Sequence, residues 1–361
     1  MDMAVAQARR SAGTTMPNPA VGCIIADRSG QVIARGRTQA GGRPHAEIMA
    51  IEAAGARAKG ATAYVSLEPC AHHGKTPPCA DALIAAGIAR VVSAIEDPDP
   101  RVKGGGHARL RAAGIAVSVG VRERDAFEVN AGFFSRIMKG RPLLTLKIAS
   151  SLDGMIATHA GESQWITGEG ARAAGHLLRA RADAILIGSG TAIADNPDLT
   201  CRLPGMEGHS PIRIIADGRL RLPLTSKLVR TAKTVPTMVL TRGDGAEARL
   251  EAYVESGVEI VKVPLAPSGL MDMAAAMAIL GQDYLFSHVL VEGGARLSST
   301  LMQAGLIDRI AWFRAARLIG GDGRPSLASL GTRSLANTPR FRLITSRQVG
   351  EDVLETFEAA S

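Results

Sequence analysis

Short runs of aliphatic and β-branched residues recur along the whole chain, and stretches of helical composition separate them. In the first 140 residues the runs are "AVGCIIAD", "ATAYVSLEP" (stopped by Pro69) and "IARVVSAIED". Around them lie "HAEIMAIEAAGARA", which is Ala-rich and free of proline, and "CADALIAAG", which Gly87 closes as a C-cap. "ARLRAAGIAVSVG" reads as a helix running into a strand. Strands alternating with helices predict a central sheet with helices on its faces, an α/β architecture. The second half repeats the pattern in "LLTLKIAS", "ADAILIGSGT", "PIRIIAD", "TMVLT", "VEIVKV", "SHVLVEGG" and "RIAWFRA". A chain of 361 residues exceeds most single cores, since domains usually run to about 100–200 residues. The basic stretch "SRIMKGRP" reads as a linker, with the boundary near Arg141–Pro142, which divides the chain into 1–142 and 143–361.

Charge and composition narrow the function. The net charge is +8, but Lys and Arg are scattered and aromatic residues make up only 3%. That argues against a stacking platform for nucleic acid and suits phosphorylated small molecules. No window approaches the ~18 apolar residues of a membrane span. The N-terminus lacks the apolar core of a signal peptide, so a cytosolic protein is expected, with no nucleic-acid or membrane partner. A homo-oligomer stays open. Four cysteines are too few for a disulfide framework at this length. In a reducing compartment they are metal ligands or packed thiols.

Two of them have company. "RPHAEIMAIE" places His45 and Glu47 at the start of a helix, and "EPCAHHGKTPPC" supplies Cys70 and, after eight intervening residues, Cys79. One imidazole and two thiolates leave the fourth position of a tetrahedral Zn²⁺ open, as in catalytic sites. A metal held this way brings the pKa of a water toward neutrality. Glu47 is then placed to move a proton from that water to departing ammonia. His-x-Glu followed by Pro-Cys-x-x-Cys is the zinc-deaminase signature; here Cys-x8-Cys replaces Cys-x2-Cys, and "HHGKTPP" becomes an excursion over the pocket mouth. The spacing is wrong for a redox pair. Cys23 and Cys201 read as packed thiols, and His72 and His73 as loop or substrate-contact residues.

In the second half no G-x-G-x-x-G follows a strand, so the Rossmann fingerprint is absent. "SHVLVEGGARLSST" instead reads as a buried strand, a Gly-Gly turn and a helix start, where backbone N–H groups favour an anion. Lys147, inside an apolar strand, suggests a pocket-facing, substrate-binding role.

"TTMPNPAVGC", "GRPHAEIMAIEAAG", "AYVSLEPCAHHGKTPPC" and "EDPDPRVKGGGHARLRAAGI" together resemble the deaminase half of the bifunctional riboflavin-biosynthesis deaminase–reductases. "LLTLKIASSLDGMIAT", "GESQWITG", "RARADAILIGSGTAIADNPDLTCR" and "VLVEGGARLSST" resemble the reductase half, so the resemblance covers nearly the whole chain. It implies a cytidine-deaminase-like α/β/α domain followed by a dihydrofolate-reductase-like α/β domain. It implies zinc on His45, Cys70 and Cys79, with Glu47 as proton shuttle. The implied reactions are deamination of 2,5-diamino-6-ribosylamino-4(3H)-pyrimidinone 5′-phosphate, then NADPH reduction of the ribosyl group to ribityl. Asn18 and Lys75 would contact the deaminase substrate, Lys75 through the ribose phosphate. NADPH would meet Ala149, Trp165, Thr191, Asp195, and Gly294, Ala295, Arg296, Leu297, Ser298, Ser299 and Thr300. Ser163, Arg179, Leu199, Arg202 and Glu292 would meet the reductase substrate, the two arginines being suited to its phosphate. Asp195 lies in "ADNPDL", where an aspartate also serves as a turn cap. Ala316 stands where this family would have a proline, and 225–284 offers no assignable cofactor contact.

Overall fold

The computed structural model describes residues 1–72, 77–245 and 247–360, and Lys75 and His73 fall outside them. The chain divides into two compact units, Met1–Arg141 and Pro142–Ser361. Among the described residues no helix is long and apolar enough to cross a membrane.

In the first unit, α1 (Asp2–Arg9) precedes β1 (Gly22–Ala26), β2 (Val32–Arg37), α2 (Ala46–Ala54), β3 (Thr62–Val65) and α3 (Cys79–Ala85). β4 (Arg90–Ser93), α4 (Gly105–Ala112), β5 (Ala116–Val119) and α5 (Glu123–Lys139) complete it. The sheet order is β2-β1-β3-β4-β5. β1 is antiparallel to both neighbours, and β3, β4 and β5 run parallel. β1 is buried along its whole length, as its unbroken apolar run requires of a strand covered on both faces. Glycines let the helices lie against the sheet. A Cβ on Gly36 of β2 would sit 2.1 Å from the Ala46 carbonyl oxygen, so the first turn of α2 rests directly on that strand. The core joins Ile25, Val65, Leu83, Val91 and Leu110 from the sheet, α3 and α4 to Phe133 and Phe134 of α5.

The segment "SRIMKGRP" is not a linker over most of its length. α5 continues to Lys139, and Gly140 at φ 66° receives the chain in the left-handed conformation. Its apolar residues Ile137, Phe134 and Phe133 pack on the core, and burial of that face outweighs the basic composition.

The second unit contains β6 (Leu143–Ser150), β7 (Met155–Ala157), α6 (Glu169–Ala180), β8 (Ala184–Gly188), α7 (Ser189–Asp195) and β9 (Ile212–Ala216). These lead to α8 (Lys227–Arg230), β10 (Thr237–Thr241), α9 (Glu247–Glu255), β11 (Val258–Lys262) and α10 (Met273–Gln282). β12 (His288–Val291), α11 (Ala295–Gln303), β13 (Arg309–Arg314), β14 (Arg324–Pro325), β15 (Phe341–Val349) and β16 (Asp352–Ala359) end it. The large sheet has the order β11-β10-β9-β8-β12-β6-β13-β16-β15, while β7 pairs with β14. From β11 to β13 the strands are parallel, and β16 and β15 add an antiparallel hairpin. The order reverses around β12, which enters between β8 and β6 although both precede it in sequence. Open α/β sheets bind ligands beyond the carboxyl ends of their strands at such a reversal.

Candidate active sites

In the first unit three elements converge. His45 sits at the N-cap of α2 with extended backbone, Cys79 opens α3, and Cys70 lies in the segment after β3. The candidate ligand atoms of His45, Cys70 and Cys79 all lie within 4.8 Å of one another. His45 Nδ1 is 3.2 Å from Cys79 Sγ and 3.8 Å from Cys70 Sγ, and the Cys79 N–H donates to Cys70 Sγ at 3.2 Å. Hydrogen bonds from Cys79 and then His45 pull the Cys70 thiol down to about 4, against the push of burial. An imidazole beside an ionised thiol and a second thiol is a donor set that suits Zn²⁺. Glu47 follows two residues later and is 3% exposed. Burial first, then the negative charge on Cys70, pushes its carboxyl up to about 7, with His45 opposing. Such a group holds or releases a proton near neutral pH. Asn18 Nδ2 donates to the Gly42 carbonyl at 3.1 Å, so its side chain braces the turn that leads to His45.

A second group of candidate ligands, Glu68, Glu96 and His107, also lies within 4.8 Å. Its geometry describes a clasp. Glu68 Oε1 accepts from the N–H groups of Gly106 and His107 at 2.9 and 3.1 Å, and Oε2 from those of Gly104 and Asp97 at 3.0 and 3.2 Å. Four backbone donors occupy the lone pairs a metal would need. Glu68 therefore ties the segment bearing Cys70 to the start of α4, where a Cβ on Gly106 would lie 1.9 Å from the Pro69 carbonyl oxygen. The sequence reading passed over Glu68, although "EPC" places it two residues before a ligand and "KGGGH" supplies the small residues it grips.

In the second unit the carboxyl ends of β6, β12 and β8 carry the candidate residues. Glu292 follows β12 and receives Arg179 in a bidentate pair, Nε to Oε1 at 2.7 Å and Nη2 to Oε2 at 2.8 Å. Lys147 of β6 approaches Oε2 at 3.8 Å, and Arg179 also donates to the Thr200 carbonyl at 3.1 Å. Burial would raise the Glu292 carboxyl, but Arg179 and Lys147 bring it down to about 2. Gly293 and Gly294 have φ of 116° and 81°. A Cβ on Gly294 would stand 2.9 Å from Thr191 Oγ1, so only glycine gives this approach to α7. Among the described residues no side chain caps α11, which leaves its first N–H groups for an anion such as a pyrophosphate. This turn fits a dinucleotide.

The rest of the expected set is less uniform. Ser298 and Ser299 are buried, Ser299 donates to the Ala328 carbonyl at 3.0 Å, and Thr300 donates to the Arg296 carbonyl at 3.0 Å. Leu297 packs toward Gly188. Leu199 is 3% exposed in the core at φ 58°, so any ligand contact it makes is through its backbone. Arg202 is exposed, and its N–H donates to His176 Nδ1 at 3.4 Å. Asp195 is exposed at the end of α7, where Asn196 (φ 39°) makes the turn and accepts from the Lys227 N–H at 2.8 Å. Ala149 is half-buried beside Phe313. Trp165 is exposed with the Arg172 guanidinium 4.9 Å above its ring, and Ser163 lies half-buried just before it. A cavity of about 270 Å³ opens beside Trp165, bounded by Thr167, Arg172, Ala316, Arg317 and Asp352.

Residues 142–354 match the family model described as the RibD C-terminal domain, and residues 1–95 match that of the cytidine and deoxycytidylate deaminase zinc-binding region. The riboflavin biosynthesis protein RibD of Escherichia coli (strain K12) is 42% identical over 98% of this chain and 96% of its own length. The chain belongs to the RibD family. The Aquifex aeolicus RibD is 40% identical over 99% of the chain and 97% of its own length. Among solved structures, Acinetobacter baumannii RibD superposes with a TM-score of 0.89 at 38% identity, covering 100% of this chain and 98% of that one. The Thermotoga maritima diaminohydroxyphosphoribosylaminopyrimidine deaminase/5-amino-6-(5-phosphoribosylamino)uracil reductase gives 0.86 at 33% identity, covering 100% and 97%. As a RibD protein, the chain is a bifunctional deaminase and reductase of riboflavin biosynthesis that uses Zn²⁺ and NADPH. A cytidine-deaminase-like unit precedes a dihydrofolate-reductase-like one.

Proposed function

We propose that residues 1–142 deaminate 2,5-diamino-6-ribosylamino-4(3H)-pyrimidinone 5′-phosphate. Residues 143–361 then reduce the product's ribosyl group to give 5-amino-6-(5-phosphoribitylamino)uracil. The observation that carries this reading is Glu47, buried two residues from a cluster of one histidine and two cysteines. The activity named for the Thermotoga maritima relative agrees with it. His45, Cys70 and Cys79 would hold the zinc, which when bound makes a water acidic enough to react at neutral pH. Glu47 accepts a proton from the attacking water at its carboxylate and returns it to the amino nitrogen. The C–N bond then breaks to release ammonia. Asn18 keeps the turn before His45 in place, and Lys75 takes the ribose phosphate.

In the reductase, NADPH when bound would supply the hydride, and the Gly293–Gly294 turn with Thr191 would hold its pyrophosphate. Arg179 and Lys147 face a single carboxylate, Glu292, so the cluster keeps one positive charge toward an anionic substrate. Glu292 fixes both cations in direction, Lys147 orients the ribose, and Arg202 meets the phosphate. The substrates are small soluble molecules, and the four cysteines are unpaired, in keeping with work in the cytosol.

The metal assignment is tested with Cys79→Ser. Zinc, measured by elemental analysis, should fall well below one per chain, and ammonia release should be lost. A variant with full zinc and full deamination would refute it.

A further inference from the structure

A dinucleotide whose pyrophosphate rests on the Gly293–Gly294 turn must run in one of two directions along the sheet edge. Its nicotinamide has to reach the substrate cluster, and that cluster includes Lys147 on β6, on one side of β12. The adenosine end therefore passes over the other side, beyond β8 toward β9 and β10. The parallel pairing brings the carboxyl ends of these strands to one edge.

That edge is basic and built. β9 is followed by Asp217-Gly218-Arg219-Leu220-Arg221, and β10 by Arg242. Arg221 Nη2 donates to Ser189 Oγ at 2.8 Å. Ser189 opens α7, two residues before the Thr191 that touches the Gly-Gly turn. Arg242 Nε donates to the Gly218 carbonyl at 3.2 Å, which holds it against the same loop. The loop is rigid at its root, where buried Asp217 accepts from the Leu222 N–H at 2.7 Å. Arg221 is 60% exposed and only 4.0 Å at closest from Asp217, so most of its charge faces outward. Arg242 pairs with the exposed Asp244 at 2.9 Å, and Arg219 is exposed.

We infer that Arg221 and Arg242 bind the phosphate on the 2′-hydroxyl of the adenosine ribose and so select NADPH over NADH. The inference rests on the cofactor reading above, which places the pyrophosphate at Gly294. Guanidinium groups anchored from behind present their remaining N–H donors to a phosphate in fixed directions. A hydroxyl in place of that phosphate would gain little from the two guanidinium groups, which would keep only their carboxylate partners Asp217 and Asp244.

The test uses the full-length zinc protein and calorimetric titration with 2′,5′-ADP and, separately, 5′-AMP, which differ by this phosphate alone. The unmodified protein should bind 2′,5′-ADP the more tightly. Arg221→Ala and Arg242→Ala should each weaken 2′,5′-ADP by about tenfold or more while leaving 5′-AMP unchanged. Arg221→Lys should restore part of the difference. Gly294→Ala should weaken both ligands alike, because both carry the 5′-phosphate that the turn receives. If Gly294→Ala changes neither, the cofactor reading fails and this inference with it. If Gly294→Ala weakens both but the arginine variants change neither, or weaken both equally, the cofactor reading stands and this inference is overturned.

Discussion

Glu292 and Glu47 are both buried carboxyls, and their surroundings send them in opposite directions. Glu47 has little beyond burial and a neighbouring thiolate, so it is pushed up to about 7. Glu292 meets a bidentate guanidinium and a lysine and is held at about 2. The sign of the second has a consequence for stability. A carboxyl whose folded pKa is depressed contributes stability that is present above its unfolded value of 4.5 and is lost as pH falls through about 2. The contribution at neutral pH is roughly 3 kcal/mol. The unfolding midpoint of Glu292→Gln should therefore lie below that of the unmodified protein at pH 7, and the gap should shrink as pH falls from 4.5 toward 2. A gap independent of pH would show that the ion pair does not carry the difference. At this scale the clustering of His45, Cys70 and Cys79 was legible in sequence, because His-x-Glu and Pro-Cys…Cys fix residue types in order. Glu68 was not, because its partners are backbone N–H groups, which leave no side-chain signature.

At the scale of elements, candidate site residues such as His45 and Glu47 are placed by a helix start that presses on a glycine-bearing strand. Gly36→Ala would put a Cβ 2.1 Å from the Ala46 carbonyl oxygen, so α2 must move, and His45 and Glu47 with it. Overpacking of this kind costs about 1–3 kcal/mol or more. We expect a lower melting temperature together with weaker zinc retention against a chelator. A variant that melts earlier yet keeps its zinc would separate packing from metal placement. The Glu68 clasp acts on the other side of the site. Glu68→Gln turns an amide N–H₂ toward backbone donors and should cost about 2 kcal/mol. Zinc release to a chelator should accelerate, and unchanged release would show that the clasp does not govern Cys70. Strands built on compact apolar runs, such as β8, β10 and β12, were plain in the sequence. The β15–β16 hairpin escaped notice because β15 is largely exposed and offers no continuous hydrophobic face. α5 was hidden in part by its basic end, which reads as a linker until Phe133 and Phe134 are seen in the core.

Across the whole molecule, two units with separate sheets and separate sites belong to one chain. α/β alternation announced both sheets, but alternation alone does not give strand order. The insertion of β12 between β8 and β6 is a long-range pairing, and it brings Glu292 and the Gly-Gly turn to the carboxyl ends beside Lys147 and Thr191. In the proposed reading, deamination at the first site feeds reduction at the second. The diamino substrate is given to the unmodified protein and to Glu47→Gln, while ammonia release and NADPH oxidation are recorded separately. With the unmodified protein, ammonia should appear first and NADPH loss should follow in equal amount. With Glu47→Gln, both should fall by about 10²–10⁴-fold, and supplying the deaminated intermediate should restore NADPH oxidation fully. NADPH oxidation by Glu47→Gln on the diamino substrate at the unmodified rate, without ammonia, would show that reduction does not depend on prior deamination at this site.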